Sequence, residues 1–164
     1  MTLGGIVLAG GTGRRMGGPK ARVELGGITL VDRAVSALEA AGCDPVVVAD
    51  RGEDGPLFAL VDPLGALATD EVVLLACDLP MAGPILPRLS TNTAAVDPDG
   101  RVQPLCSRWR RADALDAVIG AIERSDRRMS ALVDALSPQL VEATADELLN
   151  VNTPTDLRRA TDRL

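Results

Sequence analysis

The sequence predicts an α/β domain in three layers: a mostly parallel β-sheet with helices on both faces and a small β-hairpin region. Short, almost wholly apolar runs such as Val72–Cys77 alternate with segments of helical periodicity. Such runs are typical of parallel strands whose two faces are both covered. The length of 164 residues fits one domain with its own hydrophobic core.

The first half of the chain alternates strands and helices. Three buried strands are predicted, over Leu3–Ala9, Pro45–Ala49 and Val72–Cys77. A helix is predicted over Leu30–Ala41, where apolar residues recur at helical spacing and Gly42 follows as the expected C-cap. A second helix is expected over Pro56–Ala68, with Pro63 interrupting it or dividing it in two.

The pattern changes after Pro80. Turn residues at 97–100 separate the strand-like runs Ala94–Val96 and Val102–Trp109, and so predict a hairpin. The rest of the chain predicts a short strand and three helices, namely the strand Leu140–Ala143 and the helices Ala112–Glu123, Ser130–Leu136 and Thr155–Leu164.

Composition and charge exclude several classes of function. The formal net charge is −6 and aromatic residues make up 1% of the chain, whereas nucleic-acid-binding proteins present basic surfaces and aromatic stacking platforms. No apolar run approaches the roughly 20 residues that cross a bilayer, and no secretion signal is recognised. We therefore expect a cytoplasmic protein without nucleic-acid or membrane partners. The absence of histidine excludes catalysis through a histidine base and, with only three separated cysteines, argues against a zinc site.

The strongest functional signal is the glycine-rich segment Leu8–Lys20, LAGGTGRRMGGPK, which follows the first predicted strand. Ligands of parallel sheets bind at the carboxyl ends of the strands, and glycines let backbone N–H groups approach an anion closely. Arg14, Arg15 and Lys20 add the positive charge that a di- or triphosphate requires. A dinucleotide fingerprint would need glycine where Met16 stands, and a Walker A loop would need Ser or Thr after its lysine. We predict a phosphate-binding loop of another kind; the alternative is a solvated glycine-rich turn.

Asp78 follows the apolar run VVLLAC and precedes Leu-Pro. It is therefore expected at the carboxyl edge of the sheet, near the glycine-rich segment. A carboxylate there suits Mg²⁺, which prefers oxygen ligands and completes its coordination with phosphate oxygens and water. The alternative is that Asp78 caps a following helix. We favour the metal because a phosphate-binding segment is predicted nearby.

The segment LAGGTGRRMGGPK resembles the signature LAGGxSxRMGxxK of the nucleoside-triphosphate transferase superfamily. With LLACDLP at 74–80, QPL at 103–105 and NVNTPTDL at 150–157, the chain is similar to the MobA-type molybdenum cofactor guanylyltransferases. The resemblance implies a Rossmann-like nucleotidyltransferase fold that joins GMP from GTP to the phosphate of molybdopterin and releases pyrophosphate. We divide the single domain, 1–164, into a nucleotide-binding half, 1–80, and an acceptor-binding half, 81–164. Transient contact with other molybdenum cofactor enzymes remains open.

The resemblance also implies roles for individual residues. Lys20 and Arg15 would bind the nucleotide's phosphates and Asp78 would bind Mg²⁺, so these three would form the catalytic group. The remaining nucleotide-binding residues would come from the start of the glycine-rich segment, namely Leu8, Ala9, Gly10, Gly11, Thr12 and Gly13.

The acceptor and the base are assigned through fewer residues. Asn150 and Asn152 would lie near the acceptor or order the metal site, unless they only form the turn before the last helix. Gln103 would contact the acceptor or belong to the hairpin alone. Family members usually carry a longer stretch before a GPLAG segment, with an aspartate that helps to read guanine. That stretch is short here, so either Asp50 or Asp54 is expected to accept hydrogen bonds from the base.

Direct attack by an acceptor phosphate oxygen on the α-phosphorus suits a chain without histidine, because a phosphate monoester is already a nucleophile near neutral pH. Three other functions stay open. One is the same chemistry with another base or acceptor, such as cytidylyl transfer to the molybdenum cofactor or nucleotidyl transfer to a sugar phosphate. The second is a non-catalytic GTP-binding protein. The third is a structural domain whose glycine-rich turn is incidental.

Overall fold

The computed structural model describes residues 1–10, 18–50 and 52–164. The strands within these ranges are β1 (Leu3–Leu8), β2 (Glu24–Leu25), β3 (Ile28–Thr29), β4 (Val46–Ala49), β5 (Glu71–Ala76), β6 (Thr93–Val96), β7 (Val102–Arg110) and β8 (Gln139–Glu142). The helices are α1 (Leu30–Ala40), α2 (Pro56–Ala66), α3 (Arg111–Glu123), α4 (Ser130–Leu136) and α5 (Pro154–Thr161). No helix in these ranges has the length and apolar character needed to cross a membrane.

Six strands form one mixed sheet in the order β4-β1-β5-β7-β6-β8, and β2 pairs with β3 in a separate hairpin. β1 is parallel to both of its neighbours, β4 and β5, and β6 is parallel to β8. β7 is antiparallel to β5 on one side and to β6 on the other. The predicted hairpin is therefore present as β6–β7, but its longer strand also joins the two halves of the main sheet.

Helices cover both faces of this sheet. On one face α1 and α5 pack into a core that includes Leu38 and Ala160, and on the other α2, α3 and α4 pack around Leu60 and Val118. All six residues of β5 are buried because β5 has helices on both sides. This three-layer arrangement confirms the predicted fold class.

The end of α1 shows why the chain turns back sharply into β4. Gly42 has a φ of 92°, in the left-handed region that glycine adopts without strain. Its N–H donates to the Glu39 carbonyl and the Cys43 N–H donates to the Leu38 carbonyl, both over 3.0 Å. These two bonds form a Schellman motif, so the predicted C-cap role of Gly42 is confirmed.

The prediction that Pro63 interrupts or divides the second helix was wrong. α2 runs unbroken from Pro56 to Ala66 with Pro63 inside it. Pro63 lacks the N–H that would donate to the carbonyl of Ala59, but it stands in the last turn, so few residues follow the lost bond. The Leu67 N–H donates to the Pro63 carbonyl over 3.0 Å and closes the helix.

The β2–β3 hairpin was missed by the sequence analysis. Its strands have only two residues each, joined by Gly26 and Gly27, which both have positive φ values, 61° and 79°. A Gly-Gly pair of this conformation is a preferred two-residue hairpin turn. The dipeptide was the available signal, but the flanking apolar runs are too short to show alternation.

A partly buried ion pair fixes β5 to β7 at the edge of the sheet opposite Asp78. Glu71 is 1% exposed, and the Arg108 Nε–H donates to its Oε2 over 2.7 Å, with a second bond from the same guanidinium. The Thr91 hydroxyl donates to the other carboxylate oxygen. Burial raises the pKa of Glu71, but the hydrogen bonds from Thr91 and Arg108 outweigh it and hold the pKa below its ordinary value of 4.5.

Candidate active site

The carboxyl ends of β1 and β5 lie side by side and place Asp78 at the edge of the sheet. Their register pairs Leu8 with Ala76, and the Cys77 N–H donates to the Leu8 carbonyl over 3.1 Å. In the turn that follows, the Leu79 N–H donates to the Ala76 carbonyl over 3.2 Å. Asp78 is thereby held beside the start of the glycine-rich segment, where the sequence placed it, with a side chain 22% exposed.

Lys20 approaches the same edge from the other end of the glycine-rich segment. It begins a single 3₁₀ turn, Lys20–Arg22, and its side chain is 20% exposed. The Nζ ammonium donates a hydrogen bond to Asn152 Oδ1 and lies 3.6 Å from Asp78 Oδ2, an ion-pair distance. Lys20 is also the only lysine among the chain's 17 basic residues. Lys20 therefore carries the chain's one side-chain ammonium group, and every other basic side chain is the guanidinium of an arginine.

Residues 150–153 complete this cluster from the far end of the chain. The Val151 N–H donates to the backbone carbonyl of Asp78 over 2.8 Å. The side-chain amide of Asn152 donates to Asn150 Oδ1 over 2.9 Å, while its oxygen accepts from Lys20. The loop is the turn before the last helix, and it is also part of the site. The structure thus brings together four predicted site residues, Lys20, Asp78, Asn150 and Asn152.

Three predicted nucleotide-binding residues, Leu8, Ala9 and Gly10, lie where β1 ends. The Leu8 side chain is buried in the core, and the Ala9 N–H donates to the Ala49 carbonyl over 2.9 Å. These residues therefore lie at the carboxyl edge of the sheet, where the Leu8 carbonyl accepts from Cys77, the neighbour of Asp78. The other predicted members of that segment lie outside the described residues, so their roles stay predictions: Gly11, Thr12, Gly13 and Arg15.

Asp50 and Asp54 lie on the other side of β1. Asp50 directly follows β4, which is separated from β5 by β1 and therefore by about 10 Å, twice the spacing between neighbouring strands. Both aspartates line a cavity of about 510 Å³, whose apolar wall includes Phe58 and the α3 residues Ile119 and Ile122. The structure brings these two carboxylates to one cavity but leaves them apart from the Lys20–Asp78 cluster.

Gln103 stands near the start of β7, which runs antiparallel to β5. Because Cys106 pairs with Leu75, Gln103 lies beyond the carboxyl end of β5, at the same edge as Asp78. Its backbone pairs with Ala95 of β6. Gln103 is therefore a hairpin residue placed at the predicted edge, and its contact with an acceptor stays a prediction.

The donors around Asp78 indicate which kind of metal ion fits. Within residues 1–10, 18–50 and 52–164, no three carboxylate or cysteine side chains are arranged to hold a metal ion. A single carboxylate with amide oxygens nearby suits an ion that takes most of its ligands from substrate phosphates and water. Mg²⁺ binds in this way, whereas structural zinc and calcium sites require more protein ligands.

Cys77 adjoins Asp78 but does not supply a nucleophile. The residue is 2% exposed. Burial, and then the negative charge of Asp78, raise the pKa of its thiol to about 11, against an opposing effect of Lys20. The thiol therefore stays protonated near neutral pH, and only the thiolate is an effective nucleophile.

Sequence analysis missed two residues that build the loop holding Lys20. Thr153 is the N-cap of α5: its Oγ1 accepts from the Asp156 N–H over 3.1 Å, and Asp156 Oδ2 accepts from the Thr153 N–H over 3.0 Å. This reciprocal pair is a capping box. The spacing T-x-x-D in TPTD was the available signal, but only Pro154 was used to predict the helix start.

Sequence comparison finds relatives that match the chain over its whole length. A family model described as MobA-like NTP transferase domain matches residues 5–54. The chain is 34% identical to the molybdenum cofactor guanylyltransferase of Rhodobacter capsulatus, over 100% of this chain and 97% of the relative. It is also 34% identical to the molybdenum cofactor guanylyltransferase of Cereibacter sphaeroides, over 98% of this chain and 96% of the relative.

Two solved structures show how widely the fold is shared. One is the molybdopterin-guanine dinucleotide biosynthesis protein A from Archaeoglobus fulgidus, with a TM-score of 0.73 at 21% identity, covering 99% of this chain and 98% of that one. The other is the 2-C-methyl-D-erythritol 4-phosphate cytidylyltransferase from Thermus thermophilus, with a TM-score of 0.74 at 22% identity and the same coverage. At such identities these structures support the Rossmann-like nucleotidyltransferase fold and nothing finer.

Proposed function

This chain belongs to the MobA-like NTP transferase family, and from that membership we infer that it transfers GMP from GTP to the phosphate of molybdopterin and releases pyrophosphate. The names of its relatives support a nucleotidyltransferase role in molybdenum cofactor biosynthesis. GTP, the molybdopterin-type acceptor, pyrophosphate release and the use of Mg²⁺ are the parts of the proposal that experiments must establish.

The observation that carries the proposal is the cluster of Lys20, Asp78 and Asn152 at the carboxyl edge of β1 and β5. It combines one cation, one carboxylate and amide groups beside a glycine-rich segment, 3.6 Å separating the two charges. A triphosphate requires positive charge and backbone donors, and its magnesium ion requires a carboxylate. The cluster supplies the cation for the triphosphate and the carboxylate for its magnesium ion, and the backbone donors would come from the glycine-rich segment.

The proposed reaction needs positioning and charge stabilisation more than proton transfer. A phosphate oxygen of the acceptor attacks the α-phosphorus of GTP. A new P–O bond forms while the bond from the α-phosphorus to the bridging oxygen breaks, and the electron pair leaves with pyrophosphate. The ammonium of Lys20 stabilises the charge that grows on the leaving group, because a fixed cation in a partly buried site loses little to solvent screening.

Asp78 has the complementary role of holding Mg²⁺. Bound there, the ion would supply Lewis-acid stabilisation to phosphate oxygens. The Val151 N–H donates to the backbone carbonyl of Asp78 and holds the backbone of Asp78 beside the loop that carries Asn152. Catalysis by these two side chains agrees with a chain that contains no histidine.

The base is assigned to the cavity lined by Asp50 and Asp54. A carboxylate accepts hydrogen bonds from guanine at N1–H and at the 2-amino group, and cytosine or uracil cannot present that pair of donors. The alignment with the Rhodobacter capsulatus relative extends over 189 positions, against 164 residues here, so the relative has segments that this chain lacks. Base preference is therefore the part of the proposal to test first.

The test is calorimetric titration of the protein with GTP, CTP, ATP and UTP, each with and without Mg²⁺, followed by a pyrophosphate-release assay with molybdopterin. Selective binding of GTP that requires Mg²⁺, together with pyrophosphate release, would support the proposal. Equal binding of all four nucleotides would contradict the assignment of the base. Tight GTP binding without pyrophosphate release in the presence of acceptor would favour a GTP-binding protein instead.

A further inference from the structure

The hydrogen bonds of Asn152 show how Lys20 is held in place. Asn152 Oδ1 accepts from the Lys20 ammonium, and the Nδ2 group donates to Asn150 Oδ1 over 2.9 Å. An amide turned over by 180° would point its NH₂ group at a cation and its oxygen at another oxygen, which is unfavourable at both ends. The ammonium can only donate, so it fixes which way the amide of Asn152 faces. The amide oxygen, together with the carboxylate of Asp78 at 3.6 Å, in turn sets where the ammonium lies.

The side chain alone does not fix this position, because the backbone of Asn152 must also be held. The Asn152 N–H donates to Asp156 Oδ2 over 3.0 Å, and the Thr153 N–H donates to the same oxygen over 3.0 Å. Only the second of these bonds belongs to the capping box of α5. The bond from Asn152 is additional, and it joins the helix cap directly to the residue that binds Lys20.

Asp156 stays ionised under the conditions in which the site works. Burial raises the pKa of its carboxyl, but the hydrogen bonds from Asn152 and Thr153 outweigh burial and hold the pKa below its ordinary value of 3.8. At neutral pH the carboxylate therefore accepts both backbone N–H groups, and charge-assisted bonds of this kind are stronger than neutral ones.

We propose that Asp156 is a positioning residue for nucleotidyl transfer, which holds Asn152 and thereby places the ammonium of Lys20. The proposal rests on the proposed function in one respect, that Lys20 contacts the phosphates. Lysine is a flexible chain with a point charge, so without Asn152 its ammonium would sample several positions. Misplacement of a catalytic group by about 1 Å can lower the rate by on the order of a hundredfold. Asp156→Ala is therefore expected to lower kcat/KM about 10- to 100-fold.

The first measurement is NMR of the Lys20 ammonium, without substrate. Because the chain has a single lysine, lysine labelled with ¹³C and ¹⁵N gives one side-chain signal to follow. The order parameter of that signal should fall in Asp156→Ala and be retained in Asp156→Asn, whose amide oxygen can still accept. The matched control is Asp126→Ala, which also removes an aspartate that accepts a backbone N–H (the Arg128 N–H donates to Asp126 Oδ1 over 3.1 Å). Asp126 precedes α4 on the other face of the sheet, so the Lys20 signal should stay unchanged.

The second measurement is a double-mutant cycle with GTP and molybdopterin. If Asp156 acts through Lys20, Asp156→Ala should cost little further kcat/KM once Lys20→Met is present. A merely structural role would give losses that multiply. Should Asp156→Ala not fold, Asp156→Glu replaces it. Glutamate keeps the capping-box bond from the Thr153 N–H, and its longer side chain is expected to lose the bond from the Asn152 N–H and so to lower the order of Lys20.

Unchanged order of Lys20 in Asp156→Ala, or fully multiplicative kinetic losses, would overturn the positioning role. Loss of order together with a non-multiplicative cycle would support it. A wild-type protein that transfers nothing from GTP would contradict the proposed function instead, and the NMR result alone would then decide whether Asp156 positions Lys20.

Discussion

Asp78→Asn separates the proposed role of Asp78 in catalysis from its contribution to stability. The substitution removes one negative charge 3.6 Å from Lys20 and keeps the shape of the side chain. Without this charge the site should bind Mg²⁺ poorly, and a bound magnesium ion would lower the activation free energy by several kcal/mol. A loss of about 4 kcal/mol corresponds to on the order of a thousandfold in turnover, at 1.36 kcal/mol for each factor of ten.

The same substitution should affect stability far less. At 3.6 Å and an effective dielectric constant of about 20, the attraction between the two charges is about 4–5 kcal/mol before desolvation. The side chains are 20% and 22% exposed, so solvent screening and the cost of desolvation reduce the net contribution to about 1 kcal/mol or less. For a chain of this size that corresponds to a decrease in Tm of about 2–4 °C.

The assay is pyrophosphate release from GTP and molybdopterin over a series of Mg²⁺ concentrations, with thermal unfolding of the same samples by circular dichroism. Asp113→Asn is the matched control, because Asp113 is an exposed aspartate in the first turn of α3, at the opposite edge of the sheet. Activity of Asp78→Asn within tenfold of the wild type at saturating Mg²⁺ would refute the metal-binding role. A decrease in Tm above about 10 °C would show that Asp78 is chiefly a structural residue.

Three further predictions concern Lys20, Glu71 and the three cysteines. Lys20→Arg keeps the charge but replaces a compact ammonium with a planar guanidinium. We expect kcat/KM to fall at least tenfold while the protein still binds Mg²⁺-GTP. Kinetics equal to those of the wild type would show that the charge alone suffices. Glu71→Gln should lower the free energy of unfolding in urea at pH 7 by about 1–3 kcal/mol, because the amide oxygen can still accept from Arg108 but no longer carries the opposite charge. The folded-state pKa of Glu71 is lowered, so this contribution is present above pH 4.5 and is lost as the pH falls through the folded value. The difference between wild type and Glu71→Gln should therefore shrink below pH 4.5, and a constant difference would contradict the assignment. The three thiols are buried and their pKa values are raised to about 11 at Cys43 and Cys77 and about 12 at Cys106. At pH 8 a disulfide reagent should therefore modify the native protein about a hundredfold more slowly than the urea-unfolded chain.

The parts of the fold that sequence predicted are those with a local physical cause. Buried strands such as β5 show as apolar runs because both faces are covered, and Gly42 marks a helix end because the left-handed conformation favours glycine. The direction of β7 could not be predicted in the same way, because alternation along a strand does not reveal which neighbours it pairs with. The prediction for Pro63 was wrong for a related reason, because the free-energy cost of a proline within a helix depends on how many residues follow it.

The candidate site also combines residues that could be placed from sequence with contacts that could not. Asp78 could be placed from sequence because an aspartate directly after a buried strand must stand at the edge of the sheet. The contact between Lys20 and Asn152 joins positions 132 residues apart, and no local pattern indicates it. The role of Asp156 could not be predicted from sequence either. The pattern T-x-x-D indicates a helix cap, but the additional bond from the Asn152 N–H depends on the conformation of the folded loop.

That long-range contact has a consequence for the order in which the protein is made. A chain is synthesised at about 5–20 residues per second, so Lys20 leaves the peptidyl-transfer step roughly 7–26 s before Asn152 is added, 132 residues later. During that interval a nascent chain can contain the whole glycine-rich segment and Asp78 without the amide that holds the lysine. The amide that holds Lys20 is therefore present only after residue 152 has been added, and a chain whose synthesis stops between residues 78 and 152 carries Lys20 and Asp78 without Asn152.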